Sequence, residues 1–252
     1  MKLFAISVRL ARPAVLLAFL AASALPSIAK EDSLNYLAPG QPDSAAILAP
    51  PPLAGSAEQA ADMAEVVAVF KACTTNETAT AFSERKFSVF NFAPAVGSGF
   101  QPGKFPVTEA FFKRVQSDAA AATDTAKEYW KRPRPYVVDP SLASGKLEKS
   151  FSYPSGHSTE SMVLALVLAD LFPDRSEGIF AIARNIGWHR VEIARHYLTD
   201  IYAGRVFARA IVREMKSNAA FQKDLAAAKR ELAGTTQAAA AESAVPHPAA
   251  AN

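Results

Sequence analysis

The stretch Ser158-Thr159-Glu160-Ser161-Met162-Val163-Leu164-Ala165-Leu166-Val167-Leu168-Ala169-Asp170-Leu171-Phe172 is apolar on nearly every side once its first turn is past. A surface helix carries one apolar stripe, whereas a helix apolar all round is buried in a protein core or in a membrane. At about 15 residues, with Asp170 inside it, the stretch falls short of the roughly 20 apolar residues of a membrane span. It therefore reads as the buried centre of a helical protein.

Working outward, the same helical spacing recurs on both sides. Phe111, Phe112, Val115 and Ala119 share one side of a segment over Thr108–Lys131. That segment must stop near Arg132, because Pro133 and Pro135 remove donors and push their predecessors to extended geometry. Met63, Val66, Val67 and Phe70 place an amphipathic helix over Ala57–Lys71. Two further helices fit Glu177–Arg195 and Thr199–Asn218. Residues 94–106 read as a Gly/Pro-rich loop and residues 136–153 as a polar loop. Strand signals are scarce and no repeat is visible, so the expected architecture is all-α, a single-domain helical bundle.

The ends differ in composition. Lys2, Arg9 and Arg12, the apolar run from Pro13 to Ala22 and the small residues before Lys30 match a secretory signal peptide over residues 1–29. Residues 30–57, with Pro50-Pro51-Pro52, are expected to form an extended arm. Residues 58–233 form the helical domain, and the Ala-rich residues 234–252 an expected disordered tail. Of the 27 Lys and Arg, three lie in residues 1–29, as do none of the 24 Asp and Glu. The remainder is therefore neutral, which gives no support to nucleic-acid binding. Cys73 is the single cysteine, so an intramolecular disulfide or a cysteine-rich metal site is excluded.

Against that neutral background three segments hold concentrated chemistry. In Lys127-Glu128-Tyr129-Trp130-Lys131-Arg132-Pro133-Arg134-Pro135, an ammonium precedes a guanidinium held between prolines, a grip suited to a tetrahedral oxyanion. Alone, the run also fits a solvated basic patch. Pro154-Ser155-Gly156-His157 opens the apolar helix, where unpaired N–H groups favour anions and Gly156 admits close approach. Alone, it also fits an ordinary helix cap by Ser155 or Ser158. In Arg190-Val191-Glu192-Ile193-Ala194-Arg195-His196-Tyr197-Leu198-Thr199-Asp200, a carboxylate four residues after His196 is placed to fix its tautomer and free one nitrogen for attack. A satisfied buried histidine is the alternative there.

In this order, the three segments resemble the signature of the type-2 phosphatidic acid phosphatase and vanadium haloperoxidase superfamily. Within it, the signal peptide and the sequence from Lys127 to Pro135 look like the bacterial class A non-specific acid phosphatases. The resemblance covers residues 108–215 and is looser upstream. It implies the helical bundle of that superfamily and hydrolysis of phosphomonoesters, without metal or other cofactor, through a phosphohistidine intermediate. His196 would be the nucleophile, Asp200 its orienter, and His157 the general acid. Lys127, Arg134, Arg190, Ser155 and the Gly156 backbone would hold phosphate oxygens. One departure is visible: His189 stands where such families usually have serine, beside the site. His247 lies in the tail, away from the chemistry.

The expected partner is thus a phosphomonoester, with no nucleic acid, no membrane span after residue 29, a homodimer as one assembly the superfamily allows, and a periplasmic or secreted location. A vanadium-dependent haloperoxidase, a soluble lipid phosphatase and a non-catalytic phosphate-binding protein are the competing readings. Haloperoxidases are typically larger, lipid phosphatases carry several spans, and a mere binder needs no His–Asp pair with a second histidine.

Overall fold

The computed structural model describes residues 34–243, with side chains to residue 233. The expected signal peptide and the last residues of the expected tail lie outside the described residues. Among the described residues every regular element is helical: α1 (Ser44–Ile47), α2 (Ala57–Ala72), α3 (Thr75–Ser83), α4 (Ala93–Val96), α5 (Pro106–Trp130), α6 (Pro135–Val138), α7 (Gly156–Leu171), α8 (Ser176–Glu192), α9 (Leu198–Ser217) and α10 (Ala219–Ser243). Short 3-10 turns precede α4, follow α6 and precede α8. No described helix is long and apolar enough to cross a membrane.

The apolar helix α7 is the axis of the bundle, packed by α5, α8 and α9. Val163, Leu164, Val167 and Leu168 are fully buried against Phe111, Phe112, Ile179, Phe207 and Ile211. Each such side chain contributes about 1.5–3 kcal/mol relative to exposure. A smaller apolar cluster of Val66, Tyr136, Leu142, Val191, Ala194, Tyr197 and Ile201 lies where α2, α6 and the α8–α9 connection meet.

Two glycines set how closely the bundle closes on the first turn of α7. A Cβ at Gly204 of α9 would stand 2.9 Å from the Ser155 carbonyl oxygen and 3.1 Å from Ser158 Cβ. One at Gly187 of α8 would stand 3.1 Å from Ser158 Oγ. Their missing side chains let α8 and α9 flank the start of α7, which brings residues 190–200 up to residues 155–157.

Several boundaries differ from the sequence reading, short helices α4 and α6 among them reaching into stretches read as loops. Residues 34–57 are not an arm outside the core. Tyr36, Leu37 and Leu48 are buried in the main apolar cluster, and buried Asp118 of α5 accepts the backbone N–H groups of Asn35, Tyr36 and Leu37 at 2.9, 2.6 and 3.2 Å. Between its prolines the segment forms only the single turn of α1, but that does not keep it out of the core. Helix α10 continues through Ser243, so the first residues of the expected tail are helical. Alanine has the best helix propensity, and no proline interrupts the run before Pro246. Its residue Glu231 accepts the Val107 and Thr108 N–H groups at the start of α5, at 3.0 and 2.8 Å. Helix α3 went unread, although Thr74 and Glu77 form a capping box visible in the sequence.

Candidate active site

Helix α5 ends at Trp130, and its C-cap Lys131 takes the left-handed conformation (φ 49°) and turns the chain into Arg132-Pro133-Arg134-Pro135. Helix α8 ends at Glu192, and Ala194 also has positive φ (51°), uncommon for a residue with a Cβ. That turn is held by the Arg195 N–H on the Arg190 carbonyl at 2.8 Å, and it delivers His196 between α8 and α9.

His196 is 2% exposed. Its Nδ1 lies 3.3 Å from Asp200 Oδ2 and 3.4 Å from Ser152 Oγ, and its Nε2 lies 3.2 Å from Arg134 Nη1. A guanidinium has no acceptor, so the nitrogen facing it must present a lone pair. The proton therefore sits on Nδ1, towards Asp200. Burial, then Arg134, Lys127, Arg190 and His157, hold His196 well below the usual histidine range, so it is neutral with Nε2 available.

Asp200, fully buried, gathers four donors. Oδ1 accepts from Arg132 Nη1 at 2.6 Å. Oδ2 accepts from Ser152 Oγ at 2.5 Å and from the Tyr197 N–H at 2.9 Å, and it faces His196. Because Asp200 is the third residue of α9, the bond from Tyr197 is also half of a helix cap. Arg132 extends the network to Asp62 Oδ2 and Gln59 Oε1, each at 2.7 Å, and stacks on the Tyr197 ring at 3.8 Å.

The three expected phosphate-gripping cations surround this pair, all buried. Lys127 Nζ donates to the carbonyls of Phe151 and Pro154 at 2.7 and 2.8 Å. Burial, with Arg134 acting in the same direction, pushes it down to about 7. Arg134 donates to the carbonyls of Ser150 and Arg195 at 2.8 and 2.9 Å. Arg190, 1% exposed, donates through Nη2 to Glu148 Oε1 at 2.6 Å, while its buried Nε and Nη1 have no acceptor among the described residues. Burial pushes Arg190 down to about 10. Two unsatisfied guanidinium donors inside a cationic enclosure suit an anion with several oxygens.

Ser155 caps α7, its Oγ accepting the Ser158 N–H at 3.4 Å. Gly156 opens the helix, and a Cβ there would meet only ordinary contacts, the nearest Glu160 Oε1 at 3.6 Å. Packing does not demand glycine at that point. His157 Nε2 lies 3.2 Å from the Glu84 carbonyl oxygen. Burial and Arg190 push His157 down to about 3. His189 does not join the cations: its Nδ1 pairs with Glu84 Oε2 at 2.6 Å, and that contact raises it. The structure thus brings Lys127, Arg134, His157, Arg190, His196 and Asp200 into one buried constellation, with Ser155 and Gly156 at the start of α7 alongside.

Residues 117–221, which hold all three segments, match the PAP2 superfamily. An acid phosphatase of Zymomonas mobilis is 30% identical over 194 residues, covering 73% of this chain and 74% of that protein. A non-specific acid phosphatase of Providencia stuartii is 30% identical over 220 residues, covering 82% and 88%. This chain belongs to the PAP2 superfamily. The Salmonella typhimurium non-specific acid phosphatase is 33% identical over 147 residues, covering 56% of this PAP2 chain and 59% of that one. Among solved structures, a transmembrane PAP2 type phosphatidylglycerolphosphate phosphatase from Bacillus subtilis is similar with a TM-score of 0.48 and 21% identity, over 69% of this chain and 89% of that one.

The sequence missed the supports of this PAP2 site. Arg132, grouped there with Lys131 as a basic run, is a buried strut between Asp62 and Asp200. Ser152 completes the shell of Asp200. Glu148 accepts from Arg190 and pairs with Arg195 Nε at 2.9 Å, and Arg195 further donates to the Ser144 carbonyl. Glu148 and Ser152 lie in a loop with no periodicity, so no local signal marked them.

Proposed function

We propose that the chain cleaves phosphomonoesters by transferring the phosphoryl group to His196 Nε2, with no metal ion taking part. The enzyme class, phosphoric monoester hydrolase, comes with the family and its acid phosphatase relatives. The covalent route rests on one observation: a neutral imidazole, its Nδ1–H directed at Asp200, presents a lone pair among three buried cations.

In the first step Nε2 bonds to phosphorus as the ester P–O bond breaks, and a proton passes from His157 Nδ1 to the departing alkoxide. In the second, water attacks phosphorus and the N–P bond breaks. The water proton returns to His157, and phosphate leaves. Lys127, Arg134 and Arg190 stabilise charge on the equatorial oxygens, as a metal would elsewhere. Those cations disfavour a divalent ion in the same enclosure. His157 is neutral in the empty site, and the phosphate dianion supplies the charge that lets it hold a proton.

Lys127 gives the acid preference. Charged below about 7 and neutral above it, it weakens the grip on phosphate as pH rises through neutrality. The pattern of residues 1–29 adds export with cleavage after Ala29, checked by the N-terminal sequence of the purified protein.

The deciding experiment is His196→Ala, with wild type quenched during turnover of a radiolabelled ester. We expect acid-labile, alkali-stable label on wild-type protein, none on the variant, and activity down at least about 10³-fold, roughly 4 kcal/mol of barrier. Wild type should keep full activity in chelator. Activity of His196→Ala within about tenfold of wild type refutes the nucleophile, and loss in chelator restored by a divalent ion refutes metal independence.

A further inference from the structure

His189 and Glu84 are unused by the reaction as written, yet Glu84 meets His157 through its carbonyl and His189 through its side chain. Glu84 is the C-cap of α3, and its main-chain carbonyl oxygen stands 3.2 Å from His157 Nε2. A carbonyl only accepts, so Nε2 carries the proton of that bond. The Arg85 backbone, next in the chain, also holds the ring, and Nδ1 is the nitrogen assigned to exchange a proton with substrate. The Glu84 side chain reaches the other way, to His189 Nδ1 on α8 at 2.6 Å. Phe87, three residues on, packs its ring 5.5 Å from that of His157.

Helix α3 lies along α8 with little of itself buried. It is nine residues long, with Ala81 as its one buried residue. Few apolar contacts mean easy local opening, so the side-chain tie from Glu84 to α8 has a large share in fixing where the Glu84 carbonyl sits. We infer that the His189–Glu84 pair is a positioning device for the general acid: it pins the end of α3 to α8, and the pinned carbonyl aims the His157 ring. Glu192 on α8 and Glu77 on α3 add to the pull of Glu84 on His189, while burial and Arg190 on α8 oppose it. The inference rests on the reading of His157 as acid, so its test separates the two.

An acid matters for an alkyl phosphate, whose alkoxide must be protonated as it leaves, and little for p-nitrophenyl phosphate, whose phenolate departs unaided. A change that merely loosens the protein slows both. The measurement is kcat/KM on p-nitrophenyl phosphate and on glycerol 2-phosphate for wild type, His157→Ala, His189→Ala, Glu84→Ala, Glu84→Gln and His189→Asn.

His157→Ala sets the full span, a loss on the alkyl ester exceeding that on the aryl ester by about 10²-fold or more. His189→Ala and Glu84→Ala should each show a smaller excess of the same sign, about tenfold. Glu84→Gln and His189→Asn keep a donor and an acceptor across the contact and should stay within about threefold of the wild-type ratio. These two also replace the alanine variants as the test should the latter fail to fold, because an excess alkyl loss of about tenfold in both then overturns the geometric argument. Equal losses on both esters, or none, in the alanine variants overturn the inference while His157→Ala keeps its span. A His157→Ala variant with no span removes the acid reading and the positioning role together.

Discussion

Asp200→Asn changes one atom of the site and should cost far more than its size. Four donors converge on the two Asp200 oxygens: Arg132 Nη1 on Oδ1, and Ser152 Oγ, the Tyr197 N–H and His196 Nδ1 on Oδ2. An asparagine amide offers one acceptor and one NH2 group, so one side must meet donors with a donor. If the NH2 faces Arg132, a buried ion pair is broken and two donors oppose each other, at about 3–5 kcal/mol of stability. If it faces Tyr197 and His196, the capping bond is lost and His196 must turn Nδ1 into an acceptor. Its proton then moves to Nε2, against Arg134 Nη1 3.2 Å away, and the attacking lone pair is gone. The wrong tautomer in a histidine–carboxylate pair costs about 10⁴ in rate, close to 5.5 kcal/mol of barrier. We expect either a fall in kcat/KM on p-nitrophenyl phosphate of about 10³–10⁴, if the NH2 faces His196, or a lower urea midpoint, if it turns towards Arg132. A variant with activity within about tenfold of wild type and an unchanged midpoint would mean that Asp200 does not set the His196 tautomer.

Sulfate, a tetrahedral dianion that does not titrate near neutrality, isolates the protein's own groups. Lys127, depressed to about 7 in the empty site, regains its proton when the dianion binds, as His157, depressed to about 3, does at lower pH, so affinity should fall as pH rises and the Lys127 contribution, up to about tenfold per pH unit, should set in above about pH 7. Calorimetry from about pH 6 to about pH 9 would show it, and an affinity constant or rising with pH contradicts the assignment. Gly204→Ala drives a methyl to within 2.9 Å of the Ser155 carbonyl oxygen and should destabilise by about 1–3 kcal/mol, read from urea unfolding; an unchanged midpoint would show that α9 yields freely. Asp118→Ala strands the buried N–H groups of Tyr36 and Leu37 and should cost about 3 kcal/mol, a large share of a total near 5–15 kcal/mol. Susceptibility of the Leu34–Leu48 segment to limited proteolysis, compared between the variant and wild type, checks that the loss is local to it, and equal resistance argues against the tie.

The core elements could be read from the sequence because their causes are local. An all-round apolar α7, the striped α5 and the proline stop after Trp130 follow from helical period and backbone sterics within a few residues of chain. The reacting groups were legible for the same reason: a carboxylate four residues from His196, and a histidine at a helix start, are short-range arrangements. What tertiary packing alone decided is which opposite charge each buried group meets. Arg132 reads as half of a solvated pair of cations, yet α2 brings Asp62 against it from 70 residues away. Glu148 faces Arg190, and Glu84 meets His189, 105 residues apart. No periodicity encodes such partners, because a charge binds whichever complement the packed helices bring within reach. Residues 34–57 make the same point for burial. Their prolines, visible in the sequence, flank no more than the short α1, but only the Asp118 carboxylate waiting on α5 decides that Tyr36 and Leu37 are tied into the core.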